Sequence, residues 1–393
     1  MSANGATTNG ITIDREEARV VWTEPAARAL RVVALGGGTG LPILLRGLRE
    51  ALFPPGGPRE PARDRERLTA VVTTGDDGGS SGRLRRAYRV IPPGDIRNCL
   101  LALSDGDPTL AAIFNFRFNG HEGHERDDGR EVEGHSLGNL ILTALSHLEH
   151  DFLGAVERAN HMLGARGQVL PATLDDVRLV AEFADGSRAE GESRITALGR
   201  PIRRVRLDPE TVAVLPQARE AIMAADLIVI GPGSLYTSLA PVLLVHGLAA
   251  AVAASGARVA VVMNLMTEPG ETDGTDAVDH VLAIRRHAPQ VPIHDVLLNT
   301  APIPAPMIER YAGEGAFPIA VDAKALRALG CRVVGRRVLA PGAVIRHDAR
   351  ALARAVLELL PEARADRLSH VGIGATRGAL DAGASTSARA PIG

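Results

Sequence analysis

Lysine is almost absent from this chain. Lys324 stands alone against 43 arginines in 393 residues. Away from Lys324, no side chain can act as the lysine of a phosphate loop, a Schiff base or a proton relay. Cysteine is nearly as scarce: Cys99 and Cys331 are too few for a disulfide framework or a cysteine-based zinc site. Aromatic residues make up 3%, with the single tryptophan at Trp22. No apolar run reaches the roughly 18 residues that a membrane span needs. The richest stretches, 221–230 and 239–254, are interrupted by Asp226, Pro241 and His246. The net charge of −2 is spread over mixed acids and bases, without the basic stripe of a dedicated nucleic-acid binder. The first twenty residues are polar and acidic and lack the apolar core of a signal peptide, so a cytoplasmic location is expected.

What is present is apolar and periodic. Hydrophobic residues form 45% of the chain, ample for a large core. Short Val/Ile/Leu runs alternate with helical patterns, which predicts an α/β fold with a mostly parallel sheet. The expected strands are Arg31–Leu35, Leu68–Thr73, Leu227–Ile230, Arg258–Met263, His294–Leu298 and Arg332–Val334. Each reads as a strand buried on both faces. Residues 1–29 and 372–393 are Gly/Ala/Ser/Thr-rich and read as disordered ends. The segment 54–67 reads as a Pro/Gly/Arg loop, and 119–134 as a second polar excursion. Between 167 and 207 the alternation around Asp185-Gly186 predicts a small antiparallel β insertion. It divides the main domain into 30–166 and 208–360.

The candidate chemistry lies where strands end. After the first strand comes GGGTGL: Gly36, Gly37, Gly38, Thr39 and Gly40 lead into a helix whose amides can hold a phosphate. Leu41 stands where a third dinucleotide-fingerprint glycine would be, so no redox cofactor is expected, and no Gly-Lys-Ser/Thr follows. The second strand ends in TTGDDGGSSG, where Asp76 and Asp77 can coordinate magnesium and Ser80 and Ser81 can donate to phosphate. In PPGDIRN, Asp95 can cap the next helix. Arg97 in that helix's first turn opposes its dipole, which points to an anionic partner or a salt bridge. In GHSLGNL, Ser136 is the expected N-cap and Asn139 lies at the helix mouth. His135 is suited to acid–base work there. Gly231, Gly233, Ser234 and Thr237 repeat the strand–glycine–helix pattern, and Asn264 opens a polar loop through Asp273. Each of these turns alone also reads as an ordinary tight turn.

GGGTGL, VTTGDDGGSSGRL, PPGDIRN, GHSLGNL, GPGSLYTS and MTEPGETDG occur here in the order of the gluconeogenesis factor (YvcK/CofD-like) family, which residues 30–360 resemble. The resemblance implies a cytoplasmic protein with a Rossmann-like fold, needed for growth and cell shape on gluconeogenic carbon sources. It implies a UDP-sugar ligand such as UDP-N-acetylglucosamine, with Gly36–Gly40, Asp76, Asp77 and Asn264 facing the nucleotide. It also points to ERYAGEGA and VIRHD, making Tyr311 and Arg346 candidates for base stacking and for pairing with a diphosphate.

Two function classes follow. The first is a nucleotide-sugar-binding regulator with protein partners and a homo-oligomeric state as further expectations. The second is a magnesium-dependent transferase of the related 2-phospho-L-lactate transferase type, with Asp77 and His135 as its catalytic candidates.

Overall fold

The computed structural model describes residues 30–118, apart from 55 and 58, and residues 132–360. The expected tails at 1–29 and 372–393, and most of the 119–134 excursion, lie outside the described residues. Among the described residues, ten strands form two sheets. They are β1 Val32–Gly36, β2 Leu68–Val72, β3 Gln168–Pro171, β4 Arg178–Phe183, β5 Arg188–Glu190, β6 Ile202–Asp208, β7 Leu227–Ile230, β8 Arg258–Val262, β9 Asp295–Asn299 and β10 Arg332–Arg336. Seven of them make a parallel sheet in the order β10-β9-β8-β7-β1-β2-β3. The other three pair antiparallel in the order β5-β4-β6. The fold is Rossmann-like, as expected.

Side-chain alternation explains why the parallel strands are apolar along most of their length. Val32 and Ala34 of β1 face one core, which they share with helices Gly40–Leu52, Gly94–Leu103 and Ala349–Leu357. Val33 and Leu35 face the other, which is closed by helices Pro216–Ala224, Leu248–Ala254 and Ala277–His287. Each strand therefore supplies both layers, and the buried polar residues among them, Thr69 and Asp295, lie toward the amino ends, where each has a partner.

Two boundaries differ from the sequence reading. Gln168–Pro171 is not part of the antiparallel insertion; it is the edge strand of the parallel sheet, paired with β2. At an edge, Pro171 costs no ladder hydrogen bond, so its presence does not argue against a strand there. Within 54–67, residues Pro61–Arg67 form a helix rather than a loop. Asp64 in its first turn and Arg65 and Arg67 in its last complement the helix dipole. Asp64 is also buried against Arg166 at 2.8 Å.

Candidate functional site

The chain leaves β1 toward β2 and β3, then returns to β7 and proceeds the other way. The topological switch point therefore lies between β1 and β7, and a crevice opens above their carboxyl ends. Both strands end there in glycine turns that press on each other. A Cβ on Gly40 would lie 2.6 Å from the carbonyl oxygen of Pro232, so only glycine fits where the two turns cross. Asn264, just beyond β8, locks the second turn. Its Oδ1 accepts from Gly233 N–H at 3.1 Å and its Nδ2 donates to the Gly233 carbonyl at 3.0 Å.

Thr39, Gly40, Gly233, Ser234, Asn264, Tyr311 and Arg346 all line one cleft of about 350 Å³. Residues from five separate stretches of sequence thus meet at one place. The Tyr311 hydroxyl accepts from Ile345 N–H at 3.2 Å, which fixes its ring against the strap that carries Arg346. Arg346 is exposed at the rim, and its guanidinium has no ion pair among the described residues. His347 beside it is buried, and burial pushes its pKa down to about 4. Its Nε2 has no hydrogen-bond partner among the described residues.

Not every turn offers its amides to a ligand. Glu271 accepts from Tyr236 N–H at 2.6 Å, Thr237 N–H at 3.1 Å and the Thr237 hydroxyl at 3.2 Å. The helical turn at Leu235–Leu239 is thus filled by the protein's own carboxylate. Burial, and then Glu268, raise the Glu271 pKa to about 7. Asp95 does the same at the first glycine turn. It sits in the first turn of helix Gly94–Leu103 and makes no cap there; it accepts from the backbone of Gly38. A Cβ on Gly37 would lie 2.5 Å from its Oδ2. Burial and the charge of Asp76 push Asp95 up to about 6.

The remaining expected site residues form a second group on the β2 side. Ser80 Oγ is 2.9 Å from His135 Nδ1 and accepts from Asn139 Nδ2 at 3.1 Å. Arg83 Nε–H donates to His135 Nε2 at 3.1 Å, so His135 carries its proton on Nδ1 and gives it to Ser80. Burial and the charges of Arg83 and Arg117 hold the imidazole neutral, with its pKa lowered. Both ring nitrogens are engaged, and His135 orients Ser80. With its lone pairs used as acceptors, the Ser80 hydroxyl is left to donate outward. Arg97 is buried; its Nη1 donates to Asn139 Oδ1 at 3.1 Å and its Nη2 to Asn98 Oδ1 at 2.6 Å. Its Nε has no partner among the described residues. Ser81 Oγ and Asp76 Oδ2 converge over Gly94, at 2.5 and 2.6 Å from where a Cβ would sit. Ser136 is the N-cap residue of helix Leu137–Leu148, but its side chain makes no cap hydrogen bond.

Residues 32–339 match the family described as 2-phospho-L-lactate transferase CofD. The gluconeogenesis factor of Bacillus subtilis is 42% identical over 333 residues, covering 84% of this chain and 98% of that protein. The gluconeogenesis factor of Halalkalibacterium halodurans is 43% identical over 331 residues, covering 84% and 96%. The chain belongs to the CofD-like gluconeogenesis factor family. A crystal structure of a UPF0052 family member from Bacillus halodurans superposes with a TM-score of 0.75 at 41% identity, covering 84% of this chain and 99% of that one.

In this gluconeogenesis-factor fold the antiparallel insertion is part of the crevice wall. Asp77 Oδ1 accepts from Ser193 N–H at 2.9 Å, capping the insertion helix Glu192–Ala197 from across the crevice. On the far side, a Cβ on Gly270 would lie 2.4 Å from the carbonyl oxygen of Thr196. The helix therefore bridges the loops after β2 and β8. It brings in Glu192, whose pKa rises to about 9 through burial and then through Asp76 and Asp95. Glu192 and His347 are the site residues that the sequence patterns did not single out. No local signal marks Glu192, because it enters from an insertion whose docking is a tertiary fact. Among the described residues, no group of three or more His, Cys, Asp or Glu side chains is arranged to hold a metal ion. No described helix is long and apolar enough to cross a membrane.

Proposed function

We propose that the crevice binds a UDP-sugar, with UDP-N-acetylglucosamine as the leading candidate. The protein then acts as a cytoplasmic regulator of growth and cell shape on gluconeogenic carbon sources rather than by turnover. The observation that carries this reading is the cleft at the switch point, walled by Tyr311, Asn264 and Arg346, whose guanidinium has no ion pair among the described residues. A tyrosine ring held by its hydroxyl offers a stacking face for a base. An arginine without a carboxylate partner suits a diphosphate, which it can grip with two parallel hydrogen bonds. Thr39 leads from the cleft into a second recess of about 450 Å³ bordered by Arg46 and Asn98, room for the sugar. Regulation without turnover is favoured because His135 has both nitrogens committed. A homo-oligomer and further protein partners belong to the same reading.

Calorimetry with UDP-N-acetylglucosamine tests it. Arg346→Ala should weaken binding by about ten- to a hundredfold, from the roughly 1.5–3 kcal/mol of a charge-assisted contact, with the melting temperature unchanged. Unchanged affinity in both Arg346→Ala and Tyr311→Ala would refute the assignment of the site.

The crowding of carboxylates favours a second reading, a magnesium-dependent transferase. On top of burial, Asp76 raises the proton affinity of Asp95, and Asp76 and Asp95 together raise that of Glu192; a bound cation would relieve that repulsion. Asp76 and Asp77 would hold the ion, although one Asp77 oxygen is committed to Ser193 N–H. Magnesium there would neutralise diphosphate oxygens. Mass-spectrometric detection of a product from a UDP-sugar or a nucleotide-activated phospholactate, lost in Asp77→Asn, would replace the regulator by the enzyme.

A further inference from the structure

A groove of about 710 Å³ runs beside β6, at the far end of helix Ala277–His287 from the nucleotide cleft. The helix has 11 residues and so separates the two by about 16 Å. The groove is lined by Arg203, Arg204, Arg206, Arg286 and Glu210, with Leu244 half-buried among them and Val205 and Leu207 buried behind them in the core. The charges are out of balance. Arg203 and Arg204 share the one carboxylate of Glu182, each at 3.0 Å, with Arg188 a third claimant at 3.8 Å. Arg206 reaches only the exposed Glu210, at 3.5 Å. Arg286 donates to the carbonyl of Arg203 at 3.2 Å and has no carboxylate partner among the described residues. His287 adds no charge, since burial and its Arg286 and Arg204 neighbours lower its pKa.

We infer that this groove is a docking site for an extended, acidic segment of a partner protein. Arg204 and Arg206 project from the same face of β6, about 6.6 Å apart, the spacing of alternate side chains on an extended chain. Acidic residues at every second position would meet them. The residues between would turn away from β6, and the half-buried Leu244 adds an apolar contact that a free phosphate compound has no use for. Recognition is by side chains, because the outer edge of β6 is already occupied at Arg203 and Val205. Val205 N–H donates to His287 Nε2 at 2.9 Å, and Arg286 takes the Arg203 carbonyl. A partner strand therefore runs along the groove rather than extending the sheet.

Fluorescence polarisation on the full chain tests this, using a labelled heptapeptide of alternating glutamate and valine and its glutamine counterpart. The glutamate peptide should bind at least about tenfold more tightly than the glutamine one, and its affinity should fall steeply with added salt. Combining Arg206→Glu with Arg286→Glu should lower affinity about tenfold or more at an unchanged melting temperature. If that double variant unfolds, Arg286→Gln alone, which breaks no ion pair, should still weaken binding. Equal binding of the two peptides, or full binding by folded charge-reversed protein, would overturn the proposal. So would tighter binding of tripolyphosphate than of the peptide, since the occupant would then be a small polyanion. The outcome does not depend on what the nucleotide cleft binds.

Discussion

The two ends of the parallel sheet handle charge in opposite ways. At the amino ends of β8, β9 and β10, Asp295 is fully buried between Arg258 and Arg332, each at 2.6 Å. Nearby, Asp226 accepts from Arg31 N–H at 3.0 Å where β1 and β7 begin. At the carboxyl ends, like charges gather instead. On top of burial, Asp76 raises Asp95, Asp76 and Asp95 raise Glu192, and Glu268 raises Glu271, while Arg97 and His347 each keep a buried nitrogen without a partner among the described residues. A buried charge is tolerated when it is paired and is costly when it is not. The amino end is built to hold the sheet together. The carboxyl end keeps unspent electrostatic potential, which a ligand can satisfy.

The largest expected effect falls on the stabilising end. Asp295→Ala leaves two arginines facing each other over a buried gap and should cost about 3–5 kcal/mol. Chemical denaturation should register that loss, while the protein that remains folded keeps the UDP-sugar affinity proposed for the cleft. A loss of affinity at unchanged stability would reverse the division of labour between the two ends.

Asn264→Ala probes the functional end and should cost less stability. It removes partners from both the N–H and the carbonyl of Gly233, about 1–3 kcal/mol in all. Because the freed turn walls the cleft, nucleotide affinity should fall by more than the stability does. Calorimetry and melting curves on the same variant compare the two, and an intact affinity would detach Asn264 from the site.

Much of this contrast was legible in the sequence, and what was not has physical causes. The buried parallel strands announced themselves because both of their faces need apolar residues, so β7 was located to the residue at Leu227–Ile230. The glycine turns were visible because close backbone crossings, as of Gly40 over Pro232, admit no other residue. Partner choice was not visible. Asp95 reads as a helix cap by its position, yet it turns to Gly38 once β1 and helix Gly94–Leu103 pack together. His135 reads as a free base, but Arg83 arrives from a different helix to occupy its second nitrogen. Edge strand β3 was masked because four residues carry too little pattern to tell a parallel edge from a hairpin.

The smallest effect concerns Glu192 and the pH dependence of stability. A carboxyl whose pKa is raised by folding prefers its neutral form in the native state. Its contribution is favourable at low pH and is lost as pH climbs from the unfolded value to the folded one. For Asp95 that loss is complete near 6, for Glu271 near 7 and for Glu192 near 9. Between pH 5 and 7 the buried histidines, whose pKa values folding lowers, offset part of that loss; above pH 7 the ligand-free protein should melt at progressively lower temperature up to pH 9. Of these three groups, only Glu192 still acts above pH 7. Glu192→Gln should leave the melting temperature at pH 5 nearly unchanged and flatten the decline between pH 7 and 9. A decline of the same steepness in the variant would mean that Glu192 is already ionised in the crevice, and the insertion helix would then bring in a charge rather than a proton. A flattened decline would instead give the carboxyl end a hydrogen-bond donor where the amino end relies on the ion pairs of Asp295.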